Sequence, residues 1–188
     1  MTDGTAAPLR SAFKNMGIVA VIALLALVLL LATCRADDAH PSDDAIIGEF
    51  AERRADYETL RDMILAEEEV NRIAPGFVGM AGNLDLSDAE RARYLPDDRL
   101  ARYRAMFDAL DLESGIVRHN DGSVEFLRST RGIATSGSAK RILYSPGTVP
   151  PLLGQADGDT DEQECPDGSP CTSFRQLAPE WYLAFDSD

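Results

Sequence analysis

The residues with the right types for chemistry gather in the second half of the chain. His119 and Asp121 precede Ser129, Ser136 and Ser138, and neighbouring strands can bring a base, an orienting carboxylate and a nucleophile together. Such a set would make a small hydrolase from His119 and one of the serines. The Gly-x-Ser-x-Gly elbow that exposes a nucleophile at a strand-to-helix corner is absent. No catalytic residue is therefore assigned, and a binding role is expected ahead of an enzymatic one.

Between Arg131 and Lys140, Gly132 and Gly137 have the spacing of a phosphate-binding loop, but Ser138 occupies the position that needs lysine. Lys140 comes two residues late and reads as part of a strand, so neither a nucleotide nor any other cofactor is implied. Asp157, Asp159 and Asp161 alternate as in a calcium loop, where successive oxygens point at one hard cation. Glu162 then replaces the turn glycine and Gly168 the bidentate glutamate, which leaves a solvated acidic loop or a weak calcium site. Only two histidines, His40 and His119, are present, too few for a zinc site of the usual kind.

Cys165 and Cys171 bracket the turn-rich quintet Pro166-Asp167-Gly168-Ser169-Pro170. Outside the cytoplasm they should pair, stabilising the fold by roughly 2 kcal/mol for so small a loop. The third cysteine, Cys34, stands at the end of an uncharged run over residues 16–33. Eighteen residues of helix reach roughly 27 Å, close to a hydrocarbon core of about 30 Å. Arg10 and Lys14 precede the run, and Asp37, Asp38, Asp43 and Asp44 follow it. That bias places residues 1–15 in the cytoplasm and the domain outside it, at the outer face of the cytoplasmic membrane.

Leu31-Ala32-Thr33-Cys34 resembles the lipobox of bacterial lipoproteins, which implies lipidation of Cys34 after cleavage. Thr33 departs from the small residue expected there, and the apolar run exceeds the usual signal core. Residues 16–34 are thus an uncleaved transmembrane anchor or a lipoprotein signal, with ordinary cleavage after Ala36 as a third route. Residues 35–43, with Pro41, read as a polar tether in which His40 is solvated.

The elements that position these residues follow from hydrophobic period. Ile46, Phe50, Tyr57, Leu60 and Ile64 share one face of a helix over 44–71, with Arg53 interrupting the stripe. Glu67-Glu68-Glu69 opposes the macrodipole of its last turn. Ser87 and Glu90 form a capping box ahead of a short helix, and Leu100, Tyr103, Phe107 and Leu110 mark another over 97–110. Beyond Gly115 the period falls to two, predicting strands at 116–119, 124–130, 134–144 and 181–185, the first two joined at Asn120-Asp121-Gly122. Helices first and strands later predict an α+β fold over 44–188: a membrane helix, then two or three amphipathic helices on one face of an antiparallel sheet of about four strands. The acidic disulfide loop spans 154–172.

Net charge is −14. Beyond residue 34, sixteen basic residues face thirty-one acidic ones, so phosphate backbones are repelled, nucleic acid is excluded as a partner and a cationic protein is favoured.

The half from about Arg104 resembles short bacterial membrane-anchored or lipoprotein domains, through Gly115-Ile116-Val117-Arg118, through Ser136-Gly137-Ser138-Ala139-Lys140 leading to Tyr144-Ser145, and through Trp181-Tyr182-Leu183. Arg141 departs from the glycine that commonly follows the lysine there. That resemblance implies no activity. The Ser-Gly segment with a nearby Lys and Tyr is also similar to the periplasmic inhibitors of c-type lysozyme, which implies a binding role for Ser136, Ser138, Lys140 and Tyr144. Those inhibitors are β-barrels without long helices. The expected function is a membrane-anchored interaction module outside the cytoplasm, with an inhibitor or immunity-like protein against a cationic envelope enzyme or toxin as its sharper form.

Overall fold

A computed structural model describes residues 40–133, 136–147, 150, 159–162 and 171–187. Helix α1 (Asp43–Leu65) opens the domain, followed by β1 (Val70–Ile73), β2 (Val78–Met80), α2 (Asp88–Tyr94), α3 (Asp97–Ala109), β3 (Gly115–Arg118), β4 (Val124–Ile133), β5 (Ser136–Tyr144), a 3-10 turn (Thr160–Glu162), β6 (Cys171–Ala178) and β7 (Trp181–Ser187). All strands join one antiparallel sheet in the order β2-β1-β3-β4-β5-β7-β6.

This corrects the expected architecture: among the described residues three helices accompany seven strands rather than about four. No helix among the described residues is long and apolar enough to cross a membrane, and the span expected at 16–34 lies outside them. The helix expected to reach Asn71 ends at Leu65, before the three glutamates, and Val70–Ile73 turns back as β1. Pro75-Gly76 sits in the β1–β2 turn, closed by the Ala74 amide donating to the Phe77 carbonyl at 2.9 Å. Strand β6 carries Ser173 and Arg175 at alternate positions where a half-buried strand would show apolar residues, so its sequence has no period-two apolar signal.

The expected apolar stripes do form the core. Ile46, Phe50, Tyr57, Leu60 and Ile64 of α1 are buried, as are Leu100, Tyr103 and Phe107 of α3. Tyr57 packs edge-on to Phe126 with centroids 5.3 Å apart, and Phe50 lies 5.3 Å from Trp181. Each such side chain contributes ~1.5–3 kcal/mol by leaving water.

Arg53, the break in the stripe, leaves helical geometry at φ −115° and ψ 17° and kinks α1. Its guanidinium pairs with Asp56 and donates to the Ala109 carbonyl at the end of α3. Buried Arg128 of β4 donates to the Leu110 and Asp111 carbonyls and pairs with Glu49 of α1 at 2.7 Å. The last turn of α3 holds no basic residue of its own, so arginines from α1 and β4 supply the charge its carbonyls favour.

One glycine is fixed by contact. Gly115 has φ +78°, and a Cβ there would meet the Ile73 carbonyl oxygen at 2.1 Å, so the β1–β3 pairing requires it.

Candidate functional site

The richest cluster of polar groups lies where the segment entering α1 crosses strands β4 to β6. Antiparallel register brings Ser129 of β4, Lys140 of β5, Phe185 of β7 and Ser173 of β6 into one cross-strand row. Residues in such a row share a face, and Ser138 stands two positions from Lys140 on it.

Lys140 is fully buried, and its ammonium is completely satisfied. Nζ lies 2.8 Å from Asp43 Oδ1, 3.0 Å from Asp161 Oδ1 and 2.8 Å from the Pro41 carbonyl oxygen. Three acceptors match its three protons. Asp43, also fully buried, accepts from the Thr160 amide at 2.9 Å and the Thr160 hydroxyl at 2.8 Å, and its Oδ2 sits 3.3 Å from Arg175 Nε. Ser173 fixes the turn by donating to the Thr160 carbonyl at 2.8 Å. Ser42 caps α1 by accepting from the Ala45 amide, which sets the first helical turn so that Asp43 faces inward.

Oxygens of Asp43, Asp159 and Asp161 come within 4.8 Å of one another, a spacing that suits a hard cation. The Lys140 ammonium touches two of the three carboxylates and already delivers positive charge there. Asp159 and Asp161 of the expected calcium loop thus converge with Asp43, while Asp157 lies outside the described residues.

His40, read from the sequence as a solvated tether residue, is instead built into the sheet face. Nδ1 lies 2.6 Å from Ser129 Oγ, Nε2 lies 2.7 Å from Ser138 Oγ, and the ring meets Phe185 edge-on at 5.3 Å. Burial lowers its pKa, aided by the charges of Arg131 and Lys140 and opposed by Asp161 and Glu113. The ring is therefore neutral near pH 7, donating through one nitrogen and accepting through the other. A neutral imidazole against a hydroxyl is the geometry of a general base. Both nitrogens are nonetheless taken, and Ser129 is wholly buried, so the ring acts as a bridge from residue 40 to two strands.

His119 faces other company. It pairs with Glu125 at 3.3 Å, and that bond raises its pKa. Asp121, the expected orienting group, binds the Ser123 amide and hydroxyl within the β3–β4 turn. Glu125 also pairs with Arg141 at 3.3 Å, and Arg141 with Asp186, a row of charge across β4, β5 and β7.

Of the four β5 residues that resemblance singles out, Ser138 and Lys140 enter the buried cluster. Tyr144 lies farther along the strand, its ring 5.2 Å from Trp181 with Arg61 stacked 4.8 Å above it. Ser136 pairs with Ile133 through the backbone, and its side chain lies outside the described part. Cys34 and Cys165 also lie outside the described residues, as does the Cys171 side chain, so lipidation and the disulfide remain expectations from sequence.

Sequence reasoning missed His40, Asp43, Thr160 and Arg175. One signal was present: arginine outnumbers lysine sixteen to two, and Lys140 is the sole lysine after residue 14. A compact ammonium fits a closed three-acceptor site that a forked guanidinium would overfill.

The surface contrasts with this interior. Among the described residues only Arg54, Arg93, Arg102 and Arg104 are exposed arginines or lysines, against fifteen exposed carboxylates. An open depression of about 530 Å³ on α2 and α3 is lined by Asp88, Asp97 and Asp108 together with Arg91 and Arg104. Arg91 is engaged by Asp97 at 2.7 Å. No protein-family model, curated protein or solved structure matches the chain.

Proposed function

We propose that this protein is an interaction module held at the outer face of the cytoplasmic membrane by the segment ahead of His40, where it takes a cationic protein partner. The observation that carries the reading is the imbalance of surface charge: among the described residues Lys140 and Arg128 are buried and only four arginines are exposed, while fifteen carboxylates are exposed. Such a surface steers basic partners and repels polyanions. The depression on α2 and α3, with Asp97 and Asp108 on its rim, is the contact face of this reading. Delivery across the membrane rests on the basic residues before the apolar run and the acids after it.

The test uses the detergent-solubilised full chain on a support, challenged with basic envelope proteins at low and high salt. Retention at low salt, release at high salt and loss in the Asp97→Asn/Asp108→Asn variant support the reading. Equal retention by that variant, or none by the parent, contradicts it. Both substitutions are exposed and should change stability by no more than ~0.5 kcal/mol, so lost binding would report on the surface.

A further inference from the structure

Lys140 and Asp43 meet under conditions that suit a reaction as well as an ion pair. Both side chains are fully buried, with Nζ 2.8 Å from Oδ1. A second carboxylate, Asp161, has its Oδ1 3.0 Å from the same nitrogen. The remaining oxygen of Asp43, Oδ2, accepts from the Thr160 amide at 2.9 Å and lies 3.3 Å from Arg175 Nε. An amine, a carboxyl carbon, a proton carrier and two groups to hold a developing oxyanion are thus assembled, with the amine and the carboxyl shielded from solvent.

We propose that Lys140 and Asp43 become joined by an intramolecular amide bond, with loss of one water. Asp161 takes a proton from the ammonium and hands it to Asp43 Oδ1, giving a neutral amine beside a neutral carboxyl. The lone pair of Nζ attacks Cγ, forming the N–C bond, and the electron pair of the carbonyl moves onto Oδ2. There the Thr160 amide donates to it, as a donor in an oxyanion hole does, and the Arg175 guanidinium supplies positive charge 3.3 Å away. Asp161 then removes a second proton from nitrogen and delivers it to Oδ1, and the Cγ–Oδ1 bond breaks as the carbonyl reforms. Water departs, Asp161 is again a carboxylate, and nothing is oxidised or reduced.

Two features of the site drive this direction. Fixed contact replaces a bimolecular encounter, which raises effective concentration by orders of magnitude. Burial of Lys140 and Asp43 disfavours the separated charges and limits the water that could reach Cγ to reverse the reaction. The side chain of Asp161 is 27 % exposed, which gives the departing water a way out. The product would close a loop of about a hundred residues and restrain the unfolded chain as a long-loop disulfide does. It would fasten the first turn of α1 to a central strand, and it stands apart from any partner on the acidic surface.

The test is a peptide map of the full chain, reduced, denatured and cut with trypsin. Expected is a branched species in which residues 36–53 are linked to residues 132–141, lighter than the two peptides by one water and uncut after Lys140. Recovery of a linear 132–140 peptide together with 36–53 at full mass overturns the proposal. Loss of water from 36–53 alone, with Lys140 still cleaved, marks an aspartate succinimide and overturns it too. Asp161→Asn keeps an acceptor beside Nζ and should yield a folded but unlinked chain. Linking as complete as in the parent would remove Asp161 from the mechanism.

Discussion

Strands β5 and β7 pass from an apolar end to a charged end along a single face. At one end Trp181 packs 5.3 Å from Phe50, 5.6 Å from Phe126 and 5.2 Å from Tyr144, beneath the body of α1. At the other, Lys140, Asp43, Thr160 and Arg175 meet beneath the first turn of the same helix. Ile142 and Leu183 lie between the two regions, paired in register. One end holds α1 by area removed from water, and the other by groups that are costly to leave unpaired. The aromatic end tolerates change in proportion to lost volume, whereas the charged end fails through whichever partner remains.

The largest effects should come from unbalancing the charged end or emptying the aromatic one. Asp43→Ala leaves Lys140 buried with one carboxylate fewer and should cost ~3–5 kcal/mol in denaturant unfolding. That figure refers to the noncovalent pair, and loss of a covalent link would add to it. Trp181→Ala should cost a similar ~3–5 kcal/mol through the cavity it leaves. The two then separate on repair. Asp43→Leu combined with Lys140→Met, which like Asp43→Ala cannot be linked, should be the more stable of the two, because the Lys140 charge is no longer stranded even though Arg175 loses its carboxylate. A double variant no more stable than Asp43→Ala would show that shape rather than charge balance governs this end.

A smaller effect is expected at the histidine bridge. His40→Ala strands the buried Ser129 hydroxyl and should cost ~1–3 kcal/mol, read as earlier exchange of amides at the start of α1. A uniform loss of protection along α1 would place His40 in the global core instead.

The weakest contrast is between the two histidines under changing pH. His40 has its folded pKa lowered from the ordinary 6.5, chiefly by burial. Its contribution is therefore intact above that value and is lost as pH falls through the folded pKa. His119 has its folded pKa raised, chiefly by its hydrogen bond to Glu125. Its contribution is present below 6.5 and disappears as pH rises through the folded pKa. Nuclear magnetic resonance titration should place the two midpoints on opposite sides of 6.5, and Glu125→Gln should draw only the His119 midpoint downward. Midpoints in the reverse order would contradict both environments.

Much of the architecture was legible where burial is apolar and periodic. The stripes of α1 and α3 and the strands β4, β5 and β7 follow from alternation or helical spacing, β3 follows from the Asn120-Asp121-Gly122 turn that joins it to β4, and the Ser87–Glu90 capping box forms as read. Strands β1 and β2 have four and three residues, too short to show a period. Strand β6 was hidden because its alternate positions are Ser173 and Arg175, which serve Asp43 and its turn. The site was illegible for a related reason. Its members are polar and join through pairing of residues about a hundred positions apart, which no local pattern records. What was visible were fragments: Asp159 and Asp161 in an acidic loop, Ser138 and Lys140 on one strand, and a single lysine beyond residue 14 in an arginine-rich chain.

The most direct test of the two-ended account is residue-resolved amide exchange on the parent and on Lys140→Met, a change that keeps bulk and removes charge. The account predicts that protection falls over residues 43–50 while residues 57–64, beneath Tyr57 and Leu60, keep theirs. Unchanged protection over 43–50, or an equal fall along the whole helix, would contradict it.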